Sequence, residues 1–255
     1  MTHPKVLILH APGTNRDGDL AEAIRLAGGD PEIVPLSLLR NNGKHWSDYA
    51  MLALPGGFSY GDALGAGRLW ALELQTAFED LLQTFVNSNR PVIGICNGFQ
   101  VLVKAGILPG NAQTATLTFN ASGHFECRWV TLKPNPGNIS PWFQDLPDIF
   151  CPVAHGEGHF LLAEGQELLQ EQIGLTYVYP DGAPARGEYP INPNGSPQDI
   201  AGVTNPMGNV LGLMPHPEDH IFPYQHPHWA RSQTRGCGQN KGMGVKLFEN
   251  GLKMA

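Results

Sequence analysis

The pattern of apolar and polar positions along the first hundred residues predicts strands and helices in alternation. Short apolar runs suit strands that are buried on both faces. They predict strands at residues 6–9, 32–36, 49–54 and 91–95, and helical spacing predicts helices over 20–27, 70–86 and 98–105. Asn15 or Asp17 is a suitable N-cap for the first helix, which Gly28-Gly29 would end. Because strands that alternate with helices form parallel sheets, we expect an open, mostly parallel sheet flanked by helices.

The second half of the chain has a different pattern, in which strand signals follow one another. Residues 124–132 alternate at period two, and the other predicted elements are strands at 149–154 and 176–179, a helix at 164–172, a loop at 192–197 and a hairpin over 199–204 and 210–214. No internal repeat is visible in the sequence. We therefore expect one α/β domain over residues 1–255, with antiparallel strand additions in its second half.

Composition narrows the possible function classes. The chain has 255 residues, of which 42% are hydrophobic, and a net charge of −7 without any run of Lys or Arg. This balance argues against nucleic acid and anionic membranes as partners. No apolar stretch is long enough to span a bilayer, and the first residues do not resemble a signal peptide. We expect a soluble, cytoplasmic protein.

Four cysteines are spread widely along the chain, at Cys96, Cys127, Cys151 and Cys237. None belongs to a C-x-x-C pair, so the sequence supports neither a zinc site nor a redox dithiol. Because no secretory signal is visible, we expect free thiols rather than disulfides. Packing is the expected role of Cys127, Cys151 and Cys237.

The sharpest chemical signal surrounds Cys96, in the sequence Gly94-Ile95-Cys96-Asn97-Gly98. A buried strand ends, a nucleophilic side chain follows and a helix begins at once, as in the nucleophile elbow G-x-S-x-G with Cys in place of Ser. A helix N-terminus favours the thiolate form of a cysteine. The backbone N–H of Asn97 would face a developing oxyanion. The alternative is a buried structural cysteine, the usual state of a free thiol.

A base and its orienting carboxylate follow the last predicted strand, in Pro215-His216-Pro217-Glu218. A residue before proline is held extended, and residues two apart in extended chain point to the same side, so Glu218 can approach the His216 ring. Together with Cys96, these side chains supply a nucleophile, a base and an orienter. The nearby His220, His226 and His228 are interpreted as surface residues, since their spacing matches no usual metal-ligand pattern.

A glycine pair, Gly56-Gly57, directly follows the strand at 49–54. Glycines there let backbone N–H groups face the cleft at the carboxyl ends of the strands, where open α/β sheets bind ligands. Gly57 is the candidate for a second oxyanion donor. The glycine-rich stretch lacks both the G-K-[ST] ending and the G-x-G-x-x-G order, which excludes a phosphate loop and a dinucleotide fingerprint.

These motifs together resemble the class I (triad) glutamine amidotransferases, which have a flavodoxin-like fold. The strings GGFSYGD (56–62), GICNGFQ (94–100), AHGEGHF (154–160), NPNGSP (192–197) and MPHPE (214–218) are similar to those of the glutaminase component of phosphoribosylformylglycinamidine synthase. The resemblance runs over nearly the whole chain. It implies that Cys96 attacks the carboxamide of glutamine, that His216 transfers the proton and that Glu218 orients His216.

The same resemblance implies substrate contacts and partners. Gly57 and Asn97 would stabilise the oxyanion, Gln100 would lie near the substrate glutamine or on the helix surface, and His155 would line the cleft or a partner interface. No cofactor or metal is expected in this chain. ATP and magnesium are expected on a synthetase partner that receives the ammonia, with a possible small third subunit. Trp70 and residues 222–229 are candidates for partner surface. The alternatives are core packing for Trp70 and an ordered loop for residues 222–229.

Three other functions remain open from the sequence alone. The chain could be the glutaminase of a different amidotransferase, although the strings at 56–62 and 192–197 argue against this. It could be a cysteine hydrolase that acts without any partner. A non-catalytic regulatory module is the third alternative, and the presence of Cys96, His216 and Glu218 argues against it.

Overall fold

The computed structural model describes residues 3–41, 43–110, 115–232 and 241–255. Its strands are β1 (Lys5–His10), β2 (Asp30–Pro35), β3 (Met51–Leu54), β4 (Val92–Ile95), β5 (Ala115–Thr118), β6 (Glu126–Pro134), β7 (Ile149–His155), β8 (His159–Leu162), β9 (Ile173–Val178), β10 (Ile200–Thr204) and β11 (Val210–Leu213). Its α-helices are α1 (Asp17–Ala27), α2 (Leu36–Arg40), α3 (Arg68–Ala77), α4 (Glu79–Asn87), α5 (Asn97–Lys104), α6 (Trp229–Ser232) and α7 (Val245–Leu252).

One nine-stranded sheet has the order β2-β1-β3-β4-β11-β10-β9-β6-β7. The strands from β2 to β11 in this order pair in parallel, and those from β11 to β7 pair antiparallel. A separate two-stranded antiparallel sheet joins β5 and β8. The expected mostly parallel sheet with antiparallel strands in the second half is confirmed, as is the hairpin β10–β11.

The sheet positions the reactive segments because neighbouring strands end together. β3, β4 and β11 are fully buried, and Leu54, Ile95 and Leu213 are their last residues. Gly56-Gly57, Cys96 and His216 follow these three strand ends within three residues. The carboxyl edge of adjacent parallel strands is the place where open α/β sheets build ligand sites.

The predicted helix over 70–86 is wrong in one respect, because the structure has two helices there. Phe78 lies between α3 and α4 with φ −136° and ψ 12°, outside helical geometry. Its ring is buried and lies 6.0 Å from the ring of Trp46. The apolar spacing continues across this break, so periodicity alone did not reveal it.

Other parts of the chain also differ from the elements that the sequence predicts. The expected helix at 164–172 is only a 3-10 turn at Gln170–Gln172, and β5 and β8 were not expected. Helix α1 begins after Arg16 without any side-chain cap. Asp17, a predicted cap, is instead the first helical residue, and its carboxylate lies 2.7 Å from the His10 ring. The end of α1 at Gly28, with φ 101°, agrees with the sequence.

The structure also decides several single-residue expectations. Trp70 is fully buried and therefore belongs to the core, whereas Tyr224 in the segment 222–229 is 62% exposed. Cys151 is buried, but Cys127 is exposed, so a packing role for Cys127 is wrong. Cys237 lies outside the described residues. None of the helices in the described ranges is both long and apolar enough to cross a membrane.

Candidate active site

Cys96 lies at a sharp junction between β4 and α5. Its backbone has φ 51° and ψ −106°, a positive φ that L-residues rarely adopt, and the side chain is nearly buried. Glycines allow the tight turn: a Cβ on Gly98 would collide with the Leu54 carbonyl oxygen, and one on Gly94 would lie 2.7 Å from the Gly98 oxygen. The nucleophile-elbow geometry predicted from the sequence is therefore present.

His216 and Glu218 form a buried pair. The His216 Nδ1 and Glu218 Oε1 atoms are 2.7 Å apart, and both side chains are almost completely buried. The backbone N–H of His216 also donates to the Pro152 carbonyl oxygen at 2.8 Å, which fixes the loop against β7. The pairing was predicted for extended chain, but Pro217–Asp219 is a 3-10 turn. The turn, rather than an extended backbone, brings the Glu218 carboxylate within hydrogen-bonding distance of His216 Nδ1.

The missing side chain of Gly56 lets Cys96 and His216 approach each other. A Cβ at this position would lie 2.8 Å from His216 Cε1 and 3.5 Å from the Cys96 Cβ. Cys96 and His216 both line one small cavity, together with Gly57 and Phe58. The structure thus brings together the nucleophile and the base that the sequence predicted.

The electrostatics of His216 favour its protonated form. Burial alone would lower the pKa of this imidazole, but the Glu218 carboxylate and the Cys96 side chain beside it raise the pKa well above its ordinary value. His216 Nε2 has no hydrogen-bond partner among the described residues. His216 and Cys96 line one cavity, the arrangement that a base and a nucleophile require.

Two candidate oxyanion donors lie beside Cys96. Asn97 is the first residue of α5, where backbone N–H groups have no intrahelical acceptor. Gly57 has φ 129° and lines the cavity next to Cys96. A Cβ on Gly57 would lie 2.7 Å from the Asn15 backbone nitrogen, so only glycine fits this close approach.

Gln100 is buried, so the alternative of an amide on the helix surface is wrong. Its Nε2 donates to the Glu157 carbonyl oxygen at 2.6 Å, and its Oε1 accepts from Asn97 Nδ2 at 2.9 Å. Gln100 also lines a cavity of about 140 Å³ that Cys96 shares with Gly57 and His155. Its hydrogen bonds hold the loop at Glu157 against the start of α5.

His155 ends β7 and lines the same cavity as Cys96. The ring is 3% exposed, and its Nδ1 lies 3.0 Å from Asn120 Oδ1. Its Nε2 is buried and has no hydrogen-bond partner among the described residues. Burial, with a smaller effect from His216, lowers the pKa of His155 to about 3, so the ring is neutral at ordinary pH.

Sequence reasoning missed Arg16 and Asp219, which lie beside the triad. Arg16 lines the cavity with Cys96 and His216, and its guanidinium is 3.3 Å from the Asp219 carboxylate. Burial, with the neighbouring Glu218, raises the pKa of Asp219 to about 6. The two residues are 203 positions apart, so spacing could not have paired them.

Of the three histidines predicted to lie at the surface, His228 is exposed as expected, whereas His220 and His226 are not. His220 is buried and bonds through Nδ1 to the Phe150 carbonyl oxygen, which contradicts the expectation for this residue. His226 is half-buried and packs 5.2 Å from the Phe150 ring, and His228 is exposed. Across residues 3–41, 43–110, 115–232 and 241–255, no group of three or more His, Cys, Asp or Glu side chains is arranged to hold a metal ion.

Comparisons with known proteins agree with this site. A model of the CobB/CobQ-like glutamine amidotransferase domain matches residues 3–254. The phosphoribosylformylglycinamidine synthase subunit PurQ of Treponema denticola is 52% identical over 241 residues, 86% of this chain and 88% of that protein. This chain belongs to the glutamine amidotransferase family. A PurQ subunit from Dehalococcoides mccartyi is 40% identical over 100% of this chain and 99% of its own length.

The solved structures support the same family. The structure of PurLQS from Thermotoga maritima contains a chain that matches with a TM-score of 0.75 and 30% identity, over 99% of each chain. The resemblance found in the sequence is thereby confirmed, as is the class I glutamine amidotransferase fold.

Proposed function

We propose that this chain is the glutaminase subunit of a phosphoribosylformylglycinamidine synthase. It hydrolyses glutamine to glutamate and ammonia through a thioester at Cys96 and delivers the ammonia to a synthetase chain. The observation that supports this most directly is the position of Cys96, at a strand-to-helix junction and in one cavity with His216 of the buried His216–Glu218 pair. Two relatives named PurQ, at 52% and 40% identity, support this choice of synthetase.

The first half of the reaction forms the thioester. The Cys96 thiol gives its proton to His216 Nε2, and the thiolate adds to the carboxamide carbon of glutamine. Glu218 keeps the His216 ring oriented through Nδ1 and stabilises the imidazolium. The backbone N–H groups of Gly57 and Asn97 stabilise the oxyanion. When the tetrahedral intermediate collapses, the C–N bond breaks and His216 gives its proton to the leaving nitrogen, which departs as ammonia.

The second half of the reaction returns the enzyme to its starting state. Water attacks the thioester carbonyl while His216 accepts a proton from it, and the same two N–H groups again stabilise the oxyanion. The C–S bond then breaks, glutamate leaves and the His216 proton returns to the sulfur. The cycle consumes glutamine and water and yields glutamate and ammonia without any cofactor in this chain.

The ammonia is used by a partner. We assign the ATP and magnesium of the overall reaction, in which formylglycinamide ribonucleotide becomes formylglycinamidine ribonucleotide, to a synthetase chain. The relative solved in the structure of PurLQS supports an assembly with further subunits. We include a small third subunit in the proposed assembly. We place the protein in the cytoplasm, in agreement with its biosynthetic relatives.

Active-site labelling tests this proposal. The purified chain is treated with a diazo-ketone analogue of glutamine, and the adduct is mapped by peptide mass spectrometry. We expect a label at Cys96 that free glutamine prevents and that His216→Ala weakens, because the ring that favours the thiolate is then missing. The same experiment is repeated with the synthetase present, so that a site completed only by its partner is also detected.

Cys127 provides the matched control, because it is an exposed thiol that does not line either cavity beside Cys96. Iodoacetamide, which has no likeness to glutamine, should label Cys127 readily. Cys127→Ser should not change labelling of Cys96 by the diazo-ketone. Labelling spread evenly over the four cysteines, with and without the synthetase, would support a non-catalytic regulatory module instead.

A further inference from the structure

The hydrogen bonds around Asn120 determine which nitrogen of His155 holds the proton. Asn120 Nδ2 donates to the carbonyl oxygens of His124 and His155, at 2.9 and 2.8 Å, which fixes the orientation of the amide group. Asn120 Oδ1 accepts from the Gly158 N–H at 2.9 Å and lies 3.0 Å from His155 Nδ1. Since that oxygen is an acceptor, Nδ1 must be the protonated nitrogen of the ring.

The other ring nitrogen is therefore a lone-pair acceptor. His155 Nε2 is buried and has no hydrogen-bond partner in the described part of the chain. A buried polar atom without a partner is costly in free energy, and such an atom in a binding cavity is commonly completed by a ligand. Because the pKa of His155 is held near 3, Nε2 stays unprotonated under working conditions.

His155 borders the place where the substrate must lie. His155 lines the cavity of about 140 Å³ that Cys96 also lines. The adjacent Ala154 contacts the nucleophile directly, since its carbonyl oxygen is 3.7 Å from Cys96 Sγ. Gly158 lets the ring lie close to the loop, because a Cβ there would be 2.5 Å from His155 Cε1 and Nδ1 and 3.0 Å from Nε2. The acceptor is thus fixed in a single orientation.

We propose that His155 Nε2 accepts a hydrogen bond from the carboxamide N–H of glutamine and so makes the site specific for an amide. This inference rests on the proposed glutaminase function. A lone-pair acceptor attracts an amide nitrogen, whereas it repels the carboxylate oxygens of glutamate, the product. A site built to bond a donor rejects analogues that lack it, because its own buried group is then left unpaired. Asn120 is the positioning residue that keeps the acceptor free.

Comparison of an amide with an ester tests the proposal. The γ-methyl ester of glutamate has the same carbon skeleton as glutamine and can form the same Cys96 thioester, but it has no N–H to donate. His155→Phe keeps a ring of similar size and removes the acceptor. We expect kcat/KM for glutamine to fall at least about tenfold, while kcat/KM for the methyl ester changes by less than about threefold. Inhibition by glutamate should strengthen in the variant.

His159→Phe is the matched control. His159 is a half-buried histidine on β8, the next strand along the chain after β7, and it does not line the cavity. It should leave the amide-to-ester ratio unchanged. An equal fall for amide and ester in His155→Phe would overturn the specificity role while leaving the glutaminase function intact. A wild-type protein that hydrolyses neither compound, with or without the synthetase, would instead contradict the proposed function.

A measurement on an otherwise intact site avoids dependence on how His155→Phe folds. In Cys96→Ala protein labelled with ¹⁵N-histidine, the His155 ring should show a protonated Nδ1 and an unprotonated Nε2 at neutral pH. Glutamine should shift the Nε2 resonance toward that of a hydrogen-bonded acceptor, and the methyl ester should not. A protonated Nε2 in the free protein, or an Nε2 that does not respond to saturating glutamine, would overturn the inference.

Discussion

At Gly56, one absent side chain leaves the space in which the Cys96 and His216 side chains face each other. In Gly56→Ala, the new Cβ would lie 2.8 Å from His216 Cε1, so the ring must move away from Cys96. Because small misplacements of reacting groups are costly, we expect kcat for glutamine hydrolysis to fall at least about tenfold with little change in KM. Steady-state glutaminase assays, with circular dichroism to check the fold, measure this.

Gly18→Ala is the control for this change, because a Cβ on Gly18 meets nothing within 4 Å. Gly18 lies in α1, where alanine should stabilise the fold by about 0.5–1 kcal/mol and leave activity unaltered. A Gly56→Ala protein that keeps more than half of the wild-type kcat would show that the His216 ring does not need its present position.

Single residues were predictable where the local sequence fixes geometry. Cys96, His216 and Glu218 are such cases, since glycines or prolines flank them. The bonds from Asn120 to His155 and from Arg16 to Asp219 join residues 35 and 203 positions apart. Only the folded sheet brings these partners together, so no pattern along the chain could reveal them.

At the scale of elements, the junction between β4 and α5 requires that the helix start lie directly against β3. Gly98→Ala places a Cβ on the Leu54 carbonyl oxygen, and a backbone atom cannot move aside as a flexible side chain would. We expect the free energy of unfolding to fall by about 3 kcal/mol, as for other overpacked core positions. Urea denaturation followed by tryptophan fluorescence gives this quantity.

Gly137→Ala serves as the comparison for Gly98→Ala, because Gly137 is exposed and a Cβ there would meet only Asn135 at ordinary contact distance. The free energy of unfolding of Gly137→Ala should stay within about 0.5 kcal/mol of that of wild type. Equal denaturation midpoints for the two variants would mean that the helix start tolerates a shift away from β3.

Elements were predictable where the local apolar pattern is clear, as in the buried runs of β1 and β4 and the helical spacing of α5. The pattern could not separate α3 from α4, because the apolar spacing continues through Phe78 while the backbone turns. It also missed β5 and β8, which pair only with each other. Most positions of these two strands are only partly buried, whereas β4, which has the same length, is buried throughout.

For the whole molecule, the buried His155 and the part-buried Asp219 give opposite dependences of stability on pH. Asp219 has its pKa raised from 3.8 to about 6, so between these values the native state binds the extra proton and stability rises as pH falls. His155 has its pKa lowered from 6.5 to about 3, so the unfolded state binds the extra proton and stability falls as pH falls.

Variants that remove these two groups should therefore differ from wild type in stability with opposite dependences on pH. Relative to wild type, the free energy of unfolding of Asp219→Asn should increase by about 1–2 kcal/mol as the pH rises from 4 to 7. That of His155→Gln should increase, relative to wild type, by about 2–3 kcal/mol as the pH falls from 7 to 4. Urea midpoints at several pH values test both. Parallel curves for a variant and wild type would show that the group titrates alike in the folded and unfolded states.

The proposal that residues 1–255 form a single domain can also be tested, because the parallel and antiparallel strands belong to one sheet. β11 pairs in parallel with β4 and antiparallel with β10, so the boundary between the two halves is itself a continuous ladder of hydrogen bonds. The end of α1 also packs against α7, since a Cβ on Gly29 would lie 2.9 Å from the side chain of Leu252. If the two halves form one domain, neither can lose its structure without exposing the core of the other.

We therefore expect one cooperative unfolding transition, which buried thiols in the two halves can report. Cys151 lies in β7 of the antiparallel half, and Ala53→Cys in a Cys96→Ser background adds a buried thiol to β3 of the parallel half. Pulsed thiol labelling across a urea series should show both becoming reactive at the same urea concentration, while the exposed Cys127 reacts throughout. If Cys151 became reactive at clearly lower urea than the thiol in β3, the antiparallel half would be a separate folding unit.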